Sequence, residues 1–431
     1  MSINLFEIVH VLLICAGMIL LIYLGSTVLY LLVFAVAGQF KGRCKSVSST
    51  GEKRRVAVLI PCYKEDEVIL EVADEALNQN YPRNRYDVVV IADSFNSDTI
   101  VKLRTKPVKL IQVAFQISSK SRALNAALTQ LSEPYDIAVV LDGDNIMDRN
   151  FLSKINDSFN SGCTIVQGHR VAKNLNTSFA ILDAISEEIN NHIFRKGHSA
   201  LGLSSALIGS AMAFEYHFFK EIMPTVEVVG GFDKEIELKL ASAGKKICYR
   251  PDAYVYDEKV QSAESFSRQR RRWLSAQLHY FGKSFFPALR QLVLHGNFEY
   301  FNKAFQYVQP PRVLLLGFLL IATIVSVLLS DKVLIAISVG MFSAGALALL
   351  LSTPARYYSP KTLFALLTLP YGFILMLGSL FKVRGANKQF IHTKHTYNAF
   401  QSHQRRKEWQ KLKNNTAPAN EKNDSLTGQA L

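Results

Sequence analysis

Between Ile8 and Ala37 the chain runs for 30 residues without an Asp, Glu, Lys or Arg. About 20 apolar residues in a helix cross a hydrocarbon core of ~30 Å, so this run commits the chain to a bilayer before any other feature is weighed. It lacks a basic n-region and is too long for the apolar part of a secretory signal, which predicts an N-terminal transmembrane helix over residues 8–38. The stretches 313–329, 333–351 and 363–381 are also free of charged residues. They predict a carboxyl-side membrane region over residues 313–381, built from about three segments. What lies between has room for one catalytic-size domain of about 250 residues.

The formal net charge of +14 is placed beside these stretches. Lys41, Arg43, Lys45, Lys53, Arg54 and Arg55 outnumber Glu52 just after the first run, and residues 382–431 carry ten Lys/Arg against three acids, which together accounts for +12. Such flanks are the mark of cytoplasmic loops near anionic lipid, whereas residues 56–300 are nearly balanced, so nucleic acid is not expected as a partner. The bias puts the amino terminus outside and residue 41 onward in the cytoplasm, as an integral protein of the inner or plasma membrane. Four crossings would then leave the basic tail, residues 382–431, outside. One carboxyl-side segment is therefore expected to be re-entrant or interfacial, or to hide a further crossing. The end of the tail reads as disordered. Five scattered cysteines without C-x-x-C spacing fit a reducing compartment, with neither zinc nor disulfides expected.

In the soluble part, strand patterns at Val56–Ile60, Tyr86–Ile91, Val108–Val113 and Ile137–Leu141 alternate with helical ones, notably Ser121–Leu131 preceded by Lys120. Alternation of this kind predicts βαβ units, a parallel sheet and a Rossmann-like α/β fold, although G-x-G-x-x-G is absent. Tyr63, Asp93 and Asp144 then sit at carboxyl ends of strands, where open α/β sheets bind ligands. IAVVLDGD delivers Asp142 and Asp144 one glycine apart. Two such carboxylates repel unless a cation lies between them, and hard oxygen donors suit Mg²⁺ or Mn²⁺. An isolated DxD is more often an acidic turn, so the neighbouring residues decide. Further on, Ser178–Phe194 is amphipathic, GGFDKEIELKLASAGKK starts a helix at Asp233 and ends it at Gly244, and ICYRPDAYVY is a strand. Asp233, Glu235 and Glu237 suit the positive end of a helix dipole, and simple capping and solvation account for the two glutamates. Residues 266–305, basic and aromatic around QRRRW, predict amphipathic helices at the membrane surface. His169, His192, His198, His217 and His279 lack metal spacing and read as ordinary surface or core residues. No G-x-S-x-G elbow is present.

The order of DGD at 142–144, Asp233 opening its helix, and Gln269 to Trp273 as Q-x-x-R-W resembles membrane-bound family 2 glycosyltransferases, the group of cellulose, hyaluronan and chitin synthases and ceramide glucosyltransferase. The resemblance spans roughly residues 50 to 400 and includes IPCYKE, KSRALNAAL, GSAMAF and FIHTKHT at 390–396. It implies a GT-A domain over residues 50–265 and inverting transfer of a sugar from a nucleotide-sugar, UDP-linked in the first instance, to a polysaccharide or lipid-linked acceptor. Carried over, Pro61, Tyr63, Glu65, Asp93, Lys120, Asp142, Gln269, Arg272 and Trp273 would bind the nucleotide-sugar. Asp144, with Asp142, would hold Mg²⁺ or Mn²⁺, and Asp233 would be the general base. Lys64 stands where the pattern has Asn, and Phe232 where many relatives have an acid. The alternative is an inactive scaffold that binds a nucleotide-sugar or export and synthase partners.

The chemistry asks for these residue types independently. Departure of a nucleoside diphosphate builds charge on phosphate, which a divalent cation neutralises. Arg270, Arg271 and Arg272 offer planar phosphate contacts. An acceptor hydroxyl needs one carboxylate in reach, worth about 10² to 10⁴ in rate. Trp273 suits both an interfacial anchor and a platform for a pyranose face.

Overall fold

The computed structural model describes residues 5–40, 51–226 and 230–383. Lys41, Arg43, Lys45, the FIHTKHT segment and nearly all of the basic tail therefore lie outside the described residues. Helix α1 (Leu5–Ala37) precedes a mixed α/β domain: β1 (Val56–Tyr63), α2 (Ile69–Leu77), β2 (Tyr86–Asp93), α3 (Ser97–Arg104), β3 (Lys109–Val113), α4 (Lys120–Gln130), β4 (Ile137–Val140), β5 (Ile146–Met147), α5 (Phe151–Asn160) and β6 (Ile165–Ala172). It continues through α6 (Ser178–Asn190), a π-helical turn Asn191–Gly197, α7 (His198–Ala200), β7 (Met212–Glu215), α8 (Tyr216–Ile222), α9 (Phe232–Ser242) and β8 (Cys248–Asp257). Then come α10 (Ala263–His295), α11 (Phe298–Gln306), α12 (Arg312–Leu328), α13 (Lys332–Ser352), α14 (Pro360–Leu366) and α15 (Leu369–Phe381).

The eight strands form one sheet in the order β3-β2-β1-β4-β7-β6-β8-β5. The β-branched run of β1 is buried on both sides, as a central strand covered by helices must be. Successive side chains alternate between faces. Val56, Val58 and Ile60 share one core with Val72 of α2 and Phe151 and Ile155 of α5, while Ala57 and Leu59 share another with Leu124 of α4 and Phe219 of α8. The parallel arrangement expected from the sequence holds for β3, β2, β1 and β4. Beyond β4 the sheet is mixed, because β7, from the GSAMAF segment, runs antiparallel to both β4 and β6. Since β2 lies on one side of β1 and β4 on the other, the chain reverses its winding at β1. The crevice at the carboxyl ends of β1 and β4 is the topological switch point where such sheets take ligands.

Cys163 and Cys248 are disulfide-bonded, against the expectation of free thiols. They are 85 residues apart in sequence, and the β6 to β8 pairing, with Val166 opposite Cys248, brings them together in a way that local spacing does not reveal.

Among the described residues two helices, Ile14–Ala37 within α1 and Lys332–Ser352, are long and apolar enough to cross a membrane. The expected segment at 313–329 is α12, with 17 residues, and the segment at 363–381 is a pair, α14 and α15, bent by 44°. Leu315 and Leu319 of α12 and Ala348 of α13 pack with Leu24, Val28 and Leu31 of α1 in a core of their own.

Candidate active site

The acidic loop after β4 is fixed by close packing and by hydrogen bonds. A Cβ at Gly143 would lie 2.9 Å from Cys62 Sγ and 3.1 Å from Glu65 Cγ, so only glycine lets the loop lie against the end of β1. Asp142 extends toward two cations. Its Oδ1 accepts from Lys120 Nζ, and its Oδ2 lies 3.6 Å from Arg170 Nη1. Lys120 is the first residue of α4, whose Ser119 side chain caps the Arg122 N–H, and it also donates to the Gly209 carbonyl at 2.6 Å. Asp144 is 3% exposed. Its oxygens accept from Asn145 Nδ2 at 3.1 Å and from the Glu258 N–H at 3.0 Å, while Lys173 Nζ holds its carbonyl.

At the ends of the neighbouring strands, Tyr63 of β1 is in register with Asp93 of β2. The Lys64 N–H donates to the Asp93 carbonyl at 3.1 Å, with Lys64 at φ 55. The left-handed region is one that Asn enters more readily than Lys, which accounts physically for Asn at this position in the pattern. Asp233 lies in the first turn of α9, whose N-cap, Gly231, has φ 72. A Cβ there would meet Tyr280 at 3.0 Å, so glycine sets both the turn and the seating of α9 against α10.

Helix α10 carries QRRRW. Arg270 is buried between the rings of Phe266 and Trp273, 4.8 and 4.3 Å from their centroids, and donates to Asp183 of α6. These contacts give Arg270 a packing role at the edge of the site. Among the three arginines, Arg270 and Arg272 line the central cavity and Arg271 does not. Burial pulls the Arg272 guanidinium below its ordinary pKa, and the Asp142 carboxylate acts the other way.

One cavity of about 1540 Å³ is lined by Pro61, Tyr63, Glu65, Asp93, Lys120 and Asp142, and equally by Asp144, Asp233, Gln269, Arg272 and Trp273. The residues to which the resemblance assigns a site role therefore meet in one place, whereas Arg271 stays outside its lining. Among the described residues there is no group of three or more His, Cys, Asp or Glu that could cage a metal. Asp142 and Asp144 fit a different mode, in which Mg²⁺ or Mn²⁺ is bound through one or two carboxylates and completed by substrate phosphates. The amino group of Lys120 on Asp142 shows that this carboxylate takes a cationic partner.

Sequence reasoning missed the buried ionic cluster behind the loop. Arg170 of β6 reaches Glu187 at 2.8 Å and Asp257 at 3.7 Å, and Glu187 lies 3.5 Å from Lys259 and 3.6 Å from Arg195. Burial opposes the charge on Glu187, but Arg170, Lys259 and Arg195 outweigh it and bring its pKa to about 2. The only signal was charge inside an otherwise strand-like run, IVQGHRVAK. Glu235 and Glu237, expected to be solvated, are buried at 6% and 4% exposure. Lys283 donates to Glu235 at 2.8 Å, and Lys303 of α11 pairs with Glu237 at 2.9 Å. Helices α10 and α11 cover the face of α9 that the first-turn pattern left open. His169 contacts Glu188 at 3.2 Å and His198 stacks on Phe34 at 3.8 Å, both as packing residues.

Residues 54–276, just over half of the chain, match the family described as "Glycosyltransferase like family 2". The chain is 23% identical over 274 residues to the probable glycosyltransferase YdaM of Bacillus subtilis (strain 168), a match that covers 59% of this chain and 64% of that relative's length. In structure it is similar to the mannosyltransferase PcManGT from Pyrobaculum calidifontis, solved in complex with GDP-Man and Mn²⁺. That similarity has a TM-score of 0.53 and 18% identity, and covers 84% of this chain and 95% of the other.

Proposed function

The chain belongs to glycosyltransferase family 2, and from that premise we propose that it moves a sugar, with inversion, from a nucleotide-sugar to an acceptor hydroxyl at the membrane face. One observation carries the reading: the carboxyl-end acids, Lys120, Asp233 and the Gln269 to Trp273 segment line a single cavity. Asp93, Lys120 and the Pro61, Tyr63 and Glu65 edge take the nucleotide. Gln269, Arg272 and Trp273 close over the diphosphate and sugar. Asp144 and Asp142 hold Mg²⁺ or Mn²⁺, which neutralises charge on the departing diphosphate when bound. Asp233 takes the proton of the acceptor hydroxyl. Partial burial disfavours the charge on Arg272, and a donor phosphate beside it would favour that charge. The motifs group the chain with the cellulose and hyaluronan synthase type, and the solved relative's GDP-Man leaves UDP- and GDP-sugars both to be tested.

In the same reading, α1 crosses the bilayer, α12 and α13 form a hairpin of two crossings joined at Asp331, and the bent α14–α15 pair enters and leaves on one face. At about 1.5 Å per residue, α12 is short but within the spanning range. With this arrangement the end of α15 faces the cytoplasm, in keeping with the basic charge of the sequence that follows it.

The test uses the purified full chain, Mn²⁺, and a panel of radiolabelled UDP- and GDP-sugars. Asp233→Asn is expected to cut transfer by about 10² to 10⁴ while nucleoside diphosphate binding persists. Asp144→Asn is expected to lose the metal dependence of that binding. Near-wild-type transfer by either variant defeats the assignment.

A further inference from the structure

The cavity is larger than one substrate needs. Pockets that bury a drug-sized ligand run about 300–1,000 Å³, against about 1540 Å³ here. Its wall also changes character. The carboxyl ends of β1, β2 and β4 line one part, whereas Leu316 and Leu320 of α12, Leu350 of α13, and Phe373 and Met376 of α15 line another. The second part is an apolar arm among helices that also carry the membrane-facing surface.

Two groups stand where the polar part meets the arm, on the segment that leads into α12. Gln309 is 6% exposed, lines the cavity, and its Nε2 has no hydrogen-bond partner. A buried amide donor left unmade costs on the order of 1–3 kcal/mol. Arg312 also lines the cavity, and its hydrogen bonds go to neutral acceptors: Asn190 Oδ1 at 2.7 Å, and Ser186 Oγ and O at 2.8 and 3.0 Å. Among the described residues no carboxylate pairs with it within 4.0 Å. A guanidinium held at the mouth of an apolar arm without an anion is an unfavourable arrangement, unless a ligand supplies the charge.

We propose that the acceptor is an anionic lipid bearing a free hydroxyl, with its hydrocarbon chain in the arm and its phosphate on Arg312 and Gln309. The proposal rests on the reading of Asp233 and the acidic loop given above. Arginine suits the role because its planar fork matches phosphate oxygens. In the transfer, the hydroxyl oxygen forms a bond to the anomeric carbon, the bond from that carbon to the donor phosphate breaks, and the proton passes to Asp233. The nucleoside diphosphate leaves with the electron pair. A glycerophospholipid and a long-chain isoprenoid phosphate carrying a sugar share this chemistry.

The full chain in phosphatidylcholine nanodiscs is photolabelled with a diazirine-bearing hexadecyl phosphate and, separately, with the matching hexadecanol. The phosphate probe is expected to label residues of α12 and α15 at least ~10-fold more strongly, and Arg312→Gln, which keeps polar contacts to α6, is expected to remove that advantage. Leu316→Trp, which fills the arm, is expected to lose labelling by both probes while nucleoside diphosphate affinity stays within about 2-fold. Equal labelling by the two probes overturns the proposal. With radiolabelled donor and an anionic lipid extract, the product is expected in the organic phase. Mild alkali then separates the two sources, since a glycerol ester is cleaved and an isoprenoid carrier is not. A water-soluble product overturns the lipid acceptor and leaves the glycosyltransferase reading standing. Loss of nucleoside diphosphate binding in the unsubstituted chain overturns both.

Discussion

Replacing Arg170 with Met tests how the acidic loop is held. The guanidinium lies 2.8 Å from Glu187, 3.6 Å from Asp142 and 3.7 Å from Asp257. With an effective dielectric of about 20, these contacts correspond to gross attractions of about 6, 5 and 4 kcal/mol. Desolvation of so buried a cation offsets most of that sum. Removing one partner of a buried cluster, however, leaves the others uncompensated at a cost of about 3–5 kcal/mol. Glu187 keeps Lys259 and Arg195, and Asp142 keeps Lys120, so the lower end of that range is the better expectation. At about 2–4 °C per kcal/mol for a domain of this size, the melting temperature falls by roughly 6–12 °C. Arg170→Lys restores the charge but not the fork that spans three carboxylates, and is expected to recover only part of the loss. Thermal melting of the detergent-purified chain is the assay, with sugar transfer measured in parallel, because Asp142 loses one of its two cations. A drop of less than about 1 kcal/mol in Arg170→Met, together with unchanged transfer, refutes the argument.

Other outcomes follow from the same contacts. Gly143→Ala places a methyl group against Cys62 and Glu65; transfer is expected to fall at least ~10-fold in a kinetic assay, since sub-ångström misplacement of site groups is costly. Glu237→Gln leaves Lys303 buried beside a neutral partner and is expected to cost about 3–5 kcal/mol, whereas Glu237→Leu with Lys303→Leu is expected to cost much less, as a denaturation double-mutant cycle would show. Burial, reinforced by Lys303, brings the His198 ring to a pKa of about 3 from an ordinary value of 6.5. A depressed histidine contributes stability that is present above pH 6.5 and lost as pH falls toward 3, so melting at pH 5 is expected to show a loss of about 2 kcal/mol relative to pH 7.5. His198→Gln should flatten that dependence, and Glu187, at about 2, adds its own loss only between about pH 4.5 and 2.

The parts of the molecule readable from its residues were those governed by local rules. The βαβ half followed from short apolar strand runs alternating with helical spacing, and the positions of Asp93, Lys120, Asp142 and Asp233 followed from strand and helix ends. The parts that escaped depend on contacts between segments far apart in the chain. Arg170 of β6 meets Asp257 across the β6 to β8 pairing and Glu187 of α6, and Glu237 meets Lys303 of α11. Cys163 finds Cys248 through the same pairing. The reversal of β7 is of this kind too, because a strand as short as its four residues, Met212 to Glu215, carries no mark of the direction in which it pairs.

Helix α6 ties several parts of the molecule together through charged and polar contacts. Asp183 holds Arg270 of the QRRRW segment, Ser186 and Asn190 hold Arg312 at the start of α12, Glu187 holds Arg170 behind Asp142, and Glu188 holds Arg356 ahead of α14. A shift of the apolar helices relative to the sheet must therefore strain or break a charged contact within about two turns of one helix. If the apolar helices cross a bilayer as proposed, the thickness of that bilayer is coupled to the geometry of the acidic loop through these contacts. Under that proposal a bilayer acts as a mechanical boundary condition on the site.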